Sequence, residues 1–220
     1  MQSKAAFASI ALGALMALGS AVASAADSPE QRILTFMDVR AAAAAQATSL
    51  LQSVARDSHR ELLKEIARPD RFVLIELSAH APAASGETLP PELARLLVAP
   101  PDRRIHHEFG EPAAGQSMRG GTNQRALYLV AHVDIGGANQ PAAQDALRAI
   151  QKSGRASAGN LRFDIWQQTN RANHYNVIAA WRRAADLESF EASSAARDFR
   201  TVVAPLIGSL YDERRYRRAD

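Results

Sequence analysis

Histidines and their neighbours are the residues of this 220-residue chain best suited to carry chemistry. The sequence contains no Gly-rich phosphate loop, no Gly-x-Ser-x-Gly elbow and no HExxH motif. His106-His107-Glu108 falls in a segment that reads as a strand. Side chains alternate along a strand, so the two histidines face opposite ways and cannot both ligate one metal. The expectation for both is a surface position. His132 and His174 lie on two other predicted strands near the centre of one sheet. If they share a face, they can approach each other or Asp134. Such a pair is either a hydrogen-bonded structural element or an acid–base or metal site.

The elements that must position these residues run from Leu127 to Tyr216. Leu127 to Ile135 reads as a strand, and Asn139-Gln140-Pro141 offers a cap and a first-turn proline for a helix reaching about Lys152. Asn160 to Gln168, a polar loop, and His174 to Trp181 read as a hairpin. Asp186 can cap a second helix carrying Leu187 and Phe190 three apart, continued by Phe199, Val202, Val203 and Leu206. Ser209 to Tyr216 supplies a last strand. The order is β-α-β-β-α-β, the ferredoxin-like unit.

Residues 31–109 echo that order. Ile33 to Val39 reads as a strand and the alanine-rich Ala41 to Ser58 as a helix. Glu61 to Ile66 and Phe72 to Ser78 flank a tight turn. Pro90 to Val98 supplies a short helix and Arg103 to Phe109 a last strand. The segment Asp70-Arg71-Phe72-Val73-Leu74-Ile75-Glu76-Leu77 lines up with Asn173-His174-Tyr175-Asn176-Val177-Ile178-Ala179-Ala180. Self-similarity at a period of about 95 residues implies tandem duplication. The division is therefore 31–109 and 125–218, with a glycine-containing linker at 110–124. Ala79 to Thr88 reads as a surface loop.

Asn160-Leu161-Arg162-Phe163 in the second strand, an aromatic third strand ending in Trp181, and Leu187-Glu188-Ser189-Phe190 opening the second helix together carry a resemblance. In this order they resemble the antibiotic biosynthesis monooxygenase family. Pro205 to Tyr211 also looks like the way such domains enter their last strand. The resemblance is close over roughly the last 95 residues and diverged over the earlier half. It implies that two such sheets pack face to face. The expected fold class is thus α+β: tandem ferredoxin-like (β-α-β-β-α-β) domains forming an internal pseudo-dimeric α/β barrel. The sequence agrees, since Leu129/Val130 and Val177/Ile178 are apolar on both faces of their strands.

The same resemblance implies a chemistry. Family members are thought to oxygenate a phenolic or quinol substrate with molecular oxygen, using neither metal nor flavin. The substrate lies between the helices and the sheet as its electron-rich anion. Trp181 matches the family tryptophan, and Arg200 stands for an arginine further on; both are expected as catalytic. An arginine facing a phenolate lowers its pKa and stabilises its charge. Phe163, Tyr175, Phe190, His132 and His174 are the expected substrate-binding residues. Phe190 stands where many members carry histidine or another polar residue, and Val177 where some carry asparagine. A related haem-degrading branch holds iron through a histidine on the second helix, and Phe190 to Val203 contains none. No metal and no cofactor is therefore expected. The alternative in a different class is a non-catalytic barrel that binds a small ligand or a partner protein.

Residues 1–25 hold one charge, Lys4, then an apolar run, then Ala23-Ser24-Ala25. This pattern reads as a cleaved secretory signal peptide, so a periplasmic or secreted protein without stable membrane insertion is expected. The chain has no cysteine, so burial rather than disulfides must carry an exported fold. Hydrophobic residues make up 47% of the chain, which suffices for a core. The formal charge of +3, with arginines scattered among acids, argues against nucleic acid as a partner. Arg214-Arg215 and Arg217-Arg218 read as a solvated edge strand. Homo-oligomerisation beyond the internal pair is left open by the sequence.

Overall fold

The structure is a computed structural model that describes residues 31–56, 59–78, 89–111, 125–209 and 211–219. The signal-peptide reading of residues 1–25, the loop at 79–88 and the linker from 112 to 124 lie outside the described residues. The first half contains β1 (Gln31–Asp38), α1 (Ala44–Val54), β2 (Arg60–Glu65), β3 (Arg71–Ser78), α2 (Pro91–Ala94) and β4 (Asp102–Phe109). The second contains β5 (Leu127–Asp134), α3 (Gln140–Ala156), β6 (Asn160–Gln168), β7 (His174–Trp181), α4 (Ala184–Glu191), α5 (Ser194–Val203) and β8 (Asp212–Arg218). Among the described residues, no helix is long and apolar enough to cross a membrane.

The strands close into one barrel in the order β1-β3-β2-β8-β5-β7-β6-β4. Each half contributes its four strands in the ferredoxin-like order, and each half's last strand pairs with the other half's second. Glu65 faces Tyr216 across one join, and Glu108 faces Trp166 across the other. The matching registers Asp38↔Arg71 and Asp134↔His174 show the two halves using the same pairing. The architecture is the expected tandem ferredoxin-like barrel.

Closure explains why these strands are apolar on both faces. Leu129 and Val177 belong to an outer cluster under α3, α4 and α5, while Val130 and Ile178 belong to the cluster that fills the lumen. A third cluster covers the first half's outer face, where Met37, Phe72 and Leu74 meet Leu51, Leu93 and Leu97. Along α3, Ala143, Leu147, Ile150, Gln151 and Gly154 are buried, a stripe at helical spacing. Gly154 permits a close approach, since a Cβ there would meet Phe163 Cδ2 at 2.2 Å.

Some local expectations are corrected. Asn139 begins α3 without a side-chain capping bond. Asp186 lies within the first turn of α4 rather than before it, bonded to Arg183 at 2.7 Å. The second helical segment is broken at Ser193, whose hydroxyl caps α5 by accepting from the Ala196 N–H at 3.2 Å. β8 is not a solvated edge strand, because it pairs with β2 on one side and β5 on the other. Alternation then drives Arg214 and Arg218 toward the lumen. Arg214 reaches Glu65 at 3.4 Å, and Arg218 lies 4.0 Å from Glu61.

Candidate functional site

The outer face of the second half is where two helices meet the sheet over aromatic residues. Phe163 and Phe190 meet edge to face at 5.5 Å, and Trp181 packs on the other side of Phe190 at 5.0 Å. A cavity of about 50 Å³ lies here, walled by apolar residues including Leu129, Val177, Leu187, Phe163 and Phe190. Its polar side is formed by Glu191, Arg200, Tyr211 and Glu213. Arg200 is exposed, and its Nη2 donates to the Glu191 carbonyl at 2.8 Å. Arg215 grips the Glu191 carboxylate through both oxygens at 2.9 and 2.8 Å. The Tyr211 hydroxyl donates to Glu213 at 3.0 Å.

The expected residues separate into three places. Phe163, Phe190 and Arg200 line the cavity together. Trp181 is fully buried behind Phe190 and does not line it; among the described residues its Nε1 has no hydrogen-bond partner. Tyr175 shares the outer face but stands further along it. Its hydroxyl accepts from Gln144 at 3.0 Å and from Gln167 at 3.2 Å, and its ring meets Phe109.

His132 and His174 are on the lumen side of the same sheet, so the sheet separates them from the cavity. They do share a face. His132 Nε2 and His174 Nδ1 are 3.1 Å apart, and His174 Nε2 lies 3.5 Å from Asp134. Arg104 Nη1 donates to His132 Nδ1 at 3.4 Å. These contacts fit one direction of donation, from Arg104 through His132 and His174 to Asp134. Burial is the main cause lowering the pKa of both histidines, and the Arg104 charge adds to it at His132.

His106 and His107 do face opposite ways, but only His107 is at the surface. His106 is fully buried in the lumen, where it accepts from Asn176 Nδ2 at 2.8 Å and approaches the Arg32 carbonyl at 3.3 Å. Burial pushes its pKa down to about 4. The surface expectation failed because β4 is a barrel strand whose inner face is covered by the opposite half. Nearby, Glu61 accepts from Tyr128 at 2.6 Å and from Arg162 at 3.3 Å, with all three side chains buried. Among the described residues, no group of three His, Asp or Glu side chains is placed to hold a metal.

Sequence reasoning missed Tyr211 and Glu213. For Glu213 the signal was the strand alternation of β8, which places it opposite Ala131 and turned toward the helices; Tyr211 stands just before that strand.

Residues 126–202 match the family model for antibiotic biosynthesis monooxygenase. That stretch of the second half is thus similar to an antibiotic biosynthesis monooxygenase domain. The cavity just described is walled largely by the matched residues, with Tyr211 and Glu213 contributed from beyond them. Among curated proteins, none matches the chain. Solved structures match over both halves. A "putative monooxygenase" of Fusobacterium nucleatum is 7% identical with a TM-score of 0.71, over 88% of this chain and 94% of that one. An anthrone oxidase-like protein is 8% identical with a TM-score of 0.66, over 88% and 93%. A major regulator of staphylococcal pathogenesis is 14% identical with a TM-score of 0.53, over 85% and 98%. At such identities the likeness is one of fold.

Proposed function

We propose that the protein is a monooxygenase of the antibiotic biosynthesis type, exported, and acting on a small aromatic or quinol-like substrate with molecular oxygen. The observation that carries this reading is the cavity, apolar on its walls and charged at its mouth. A flat aromatic substrate suits walls made by Phe163 and Phe190. Arg200 stands at the mouth where it can stabilise the oxyanion of the ionised substrate. The electrons come from the substrate anion. One oxygen atom becomes bonded to a substrate carbon and the other leaves as water. For a methylene flanked by two aromatic rings, CH₂ and O₂ give C=O and H₂O.

The cavity must open for this. At about 50 Å³ it is well below the roughly 150 Å³ of a cavity known to hold benzene. Phe190 and the half-buried Phe199 are the side chains whose movement would enlarge it, and the Trp181 Nε1 behind Phe190 would then meet a bound molecule. The same small volume favours a second reading, a non-catalytic barrel, and the fold alone does not decide between them.

Oxygen consumption by the metal-stripped protein, measured against a panel of quinols and polyphenols, separates the two. Uptake above the protein-free rate, largely lost in a folded Trp181→Phe variant, is the expected result. Thermal stabilisation by one of these compounds without uptake would replace the enzyme with a binding protein.

A further inference from the structure

The cavity's polar side holds a group that the family resemblance does not supply. Two acidic side chains, Glu191 and Glu213, stand at the mouth with Tyr211 and Arg200. Glu191 is occupied, since its carboxylate is gripped by Arg215 through two bonds. Glu213 is held differently. Its hydrogen-bond partner is the neutral Tyr211 hydroxyl at 3.0 Å rather than a guanidinium. It projects from the outer face of β8 beside Ala131, toward the helices that roof the cavity.

We propose that Glu213, oriented by Tyr211, is the general base that takes the hydroxyl proton of a phenol or quinol bound in this cavity. This deepens the monooxygenase reading and rests on it. In the step, the substrate O–H bond breaks and its electron pair stays on the oxygen. The proton passes to a Glu213 carboxylate oxygen and from there to solvent at the mouth, while Arg200 faces the new anion. Oxygen enters afterwards, as balanced above.

The surroundings suit the role. Glu213 is exposed at the mouth, so withdrawal from water raises its pKa only in part, and the Glu191 charge adds to the rise. The Tyr211 hydrogen bond, Arg215 and Arg200 oppose it without cancelling it. A carboxylate raised toward the operating pH is a better partner for a phenolic proton than an ordinary one. Tyr211 is not itself the base. Although Tyr211 is 38% exposed, partial withdrawal from water and then the Glu213 charge push its pKa up, so it stays a neutral donor that fixes the carboxylate.

The test uses oxygen uptake with a dihydroxyanthrone from pH 5 to 9, together with anaerobic binding of the same compound followed by tryptophan fluorescence. For the wild type, kcat/KM should rise from the acid side and level off above the Glu213 pKa. Glu213→Gln should bind the probe with KM within a few-fold, lose about 100-fold in kcat, and lose the acid limb. Tyr211→Phe removes a contact that lowers the Glu213 pKa, so its acid limb should move to higher pH. That displacement would not arise from a merely structural role, and it keeps the test open if Glu213→Gln folds poorly. A folded Glu213→Gln within twofold of wild-type kcat would overturn the base and leave the monooxygenase standing. Wild-type binding without uptake would overturn the monooxygenase and the base with it.

Discussion

β3 and β7 occupy equivalent places in the two halves, yet they meet different roofs. β7 ends in Trp181 and lies in the sheet beneath α3, a 17-residue helix with five buried residues, and the two-segment α4 and α5. β3 presents Phe72 and Leu74 to α1, an 11-residue alanine-rich helix with two buried residues, and to the single turn of α2. On the first half, Leu93 and Leu97 fill the outer face directly. On the second, the break at Ser193 splits the roof, and a cavity with a charged mouth remains beneath it. The two halves contribute equivalent sheets, and the length and break of the second helix separate a half with a filled outer face from one with a cavity.

Side chains that cross the lumen tie the halves together, and removing one should show whether the comparison is between parts of a single folding unit. The largest effect is expected for Glu61→Ala. Glu61 on β2 meets Tyr128 on β5 and Arg162 on β6, and its loss removes the buried carboxylate that joins them across the halves, although Arg162 keeps Asp164 at 2.7 Å. A cost of about 3–5 kcal/mol is expected, read from urea unfolding in one cooperative transition. Two separate transitions would instead make the halves independent.

A smaller effect sharpens the same point through pH. His106 on β4 is bonded to Asn176 on β7, and burial holds its pKa at about 4 against 6.5 for a free histidine. Below pH 6.5 the unfolded chain takes up a proton that the folded chain refuses. Stability should therefore fall as pH drops from about 6.5 toward about 4, by up to about 3 kcal/mol from this residue. His106→Gln should flatten that slope, with urea midpoints at pH 7 and pH 4.5 as the measurement. An unchanged slope would assign the acid limb to His132 and His174.

The strand order, the two-faced apolar strands and the opposite orientation of His106 and His107 were legible because period-2 alternation is local. Burial across the barrel was not. Glu65 and Arg214 lie 149 residues apart in sequence, and nothing local distinguishes a strand that closes a barrel from an edge strand. The same gap hid the lumen site of His106. His132 and His174 were read as a pair, but not as a pair cut off from Trp181 by the sheet itself. Trp181 was matched by its place at the end of β7. Its position behind Phe190 depends on how the side chains on α4 pack, and spacing does not encode that.

If the second half holds the site and the first half supports it, the two should answer differently to mutation. Oxygen uptake with the best quinol, measured side by side on wild type, Ala196→Leu and Leu93→Ala, tests this most directly. Ala196 on α5 lines the cavity and Leu93 on α2 sits in the first half's outer cluster. Filling the cavity with Ala196→Leu should abolish uptake in a folded protein. Leu93→Ala should cost about 3 kcal/mol of stability while leaving the turnover of the folded fraction unchanged. Uptake that survives Ala196→Leu, or disappears in folded Leu93→Ala, would contradict this division of roles.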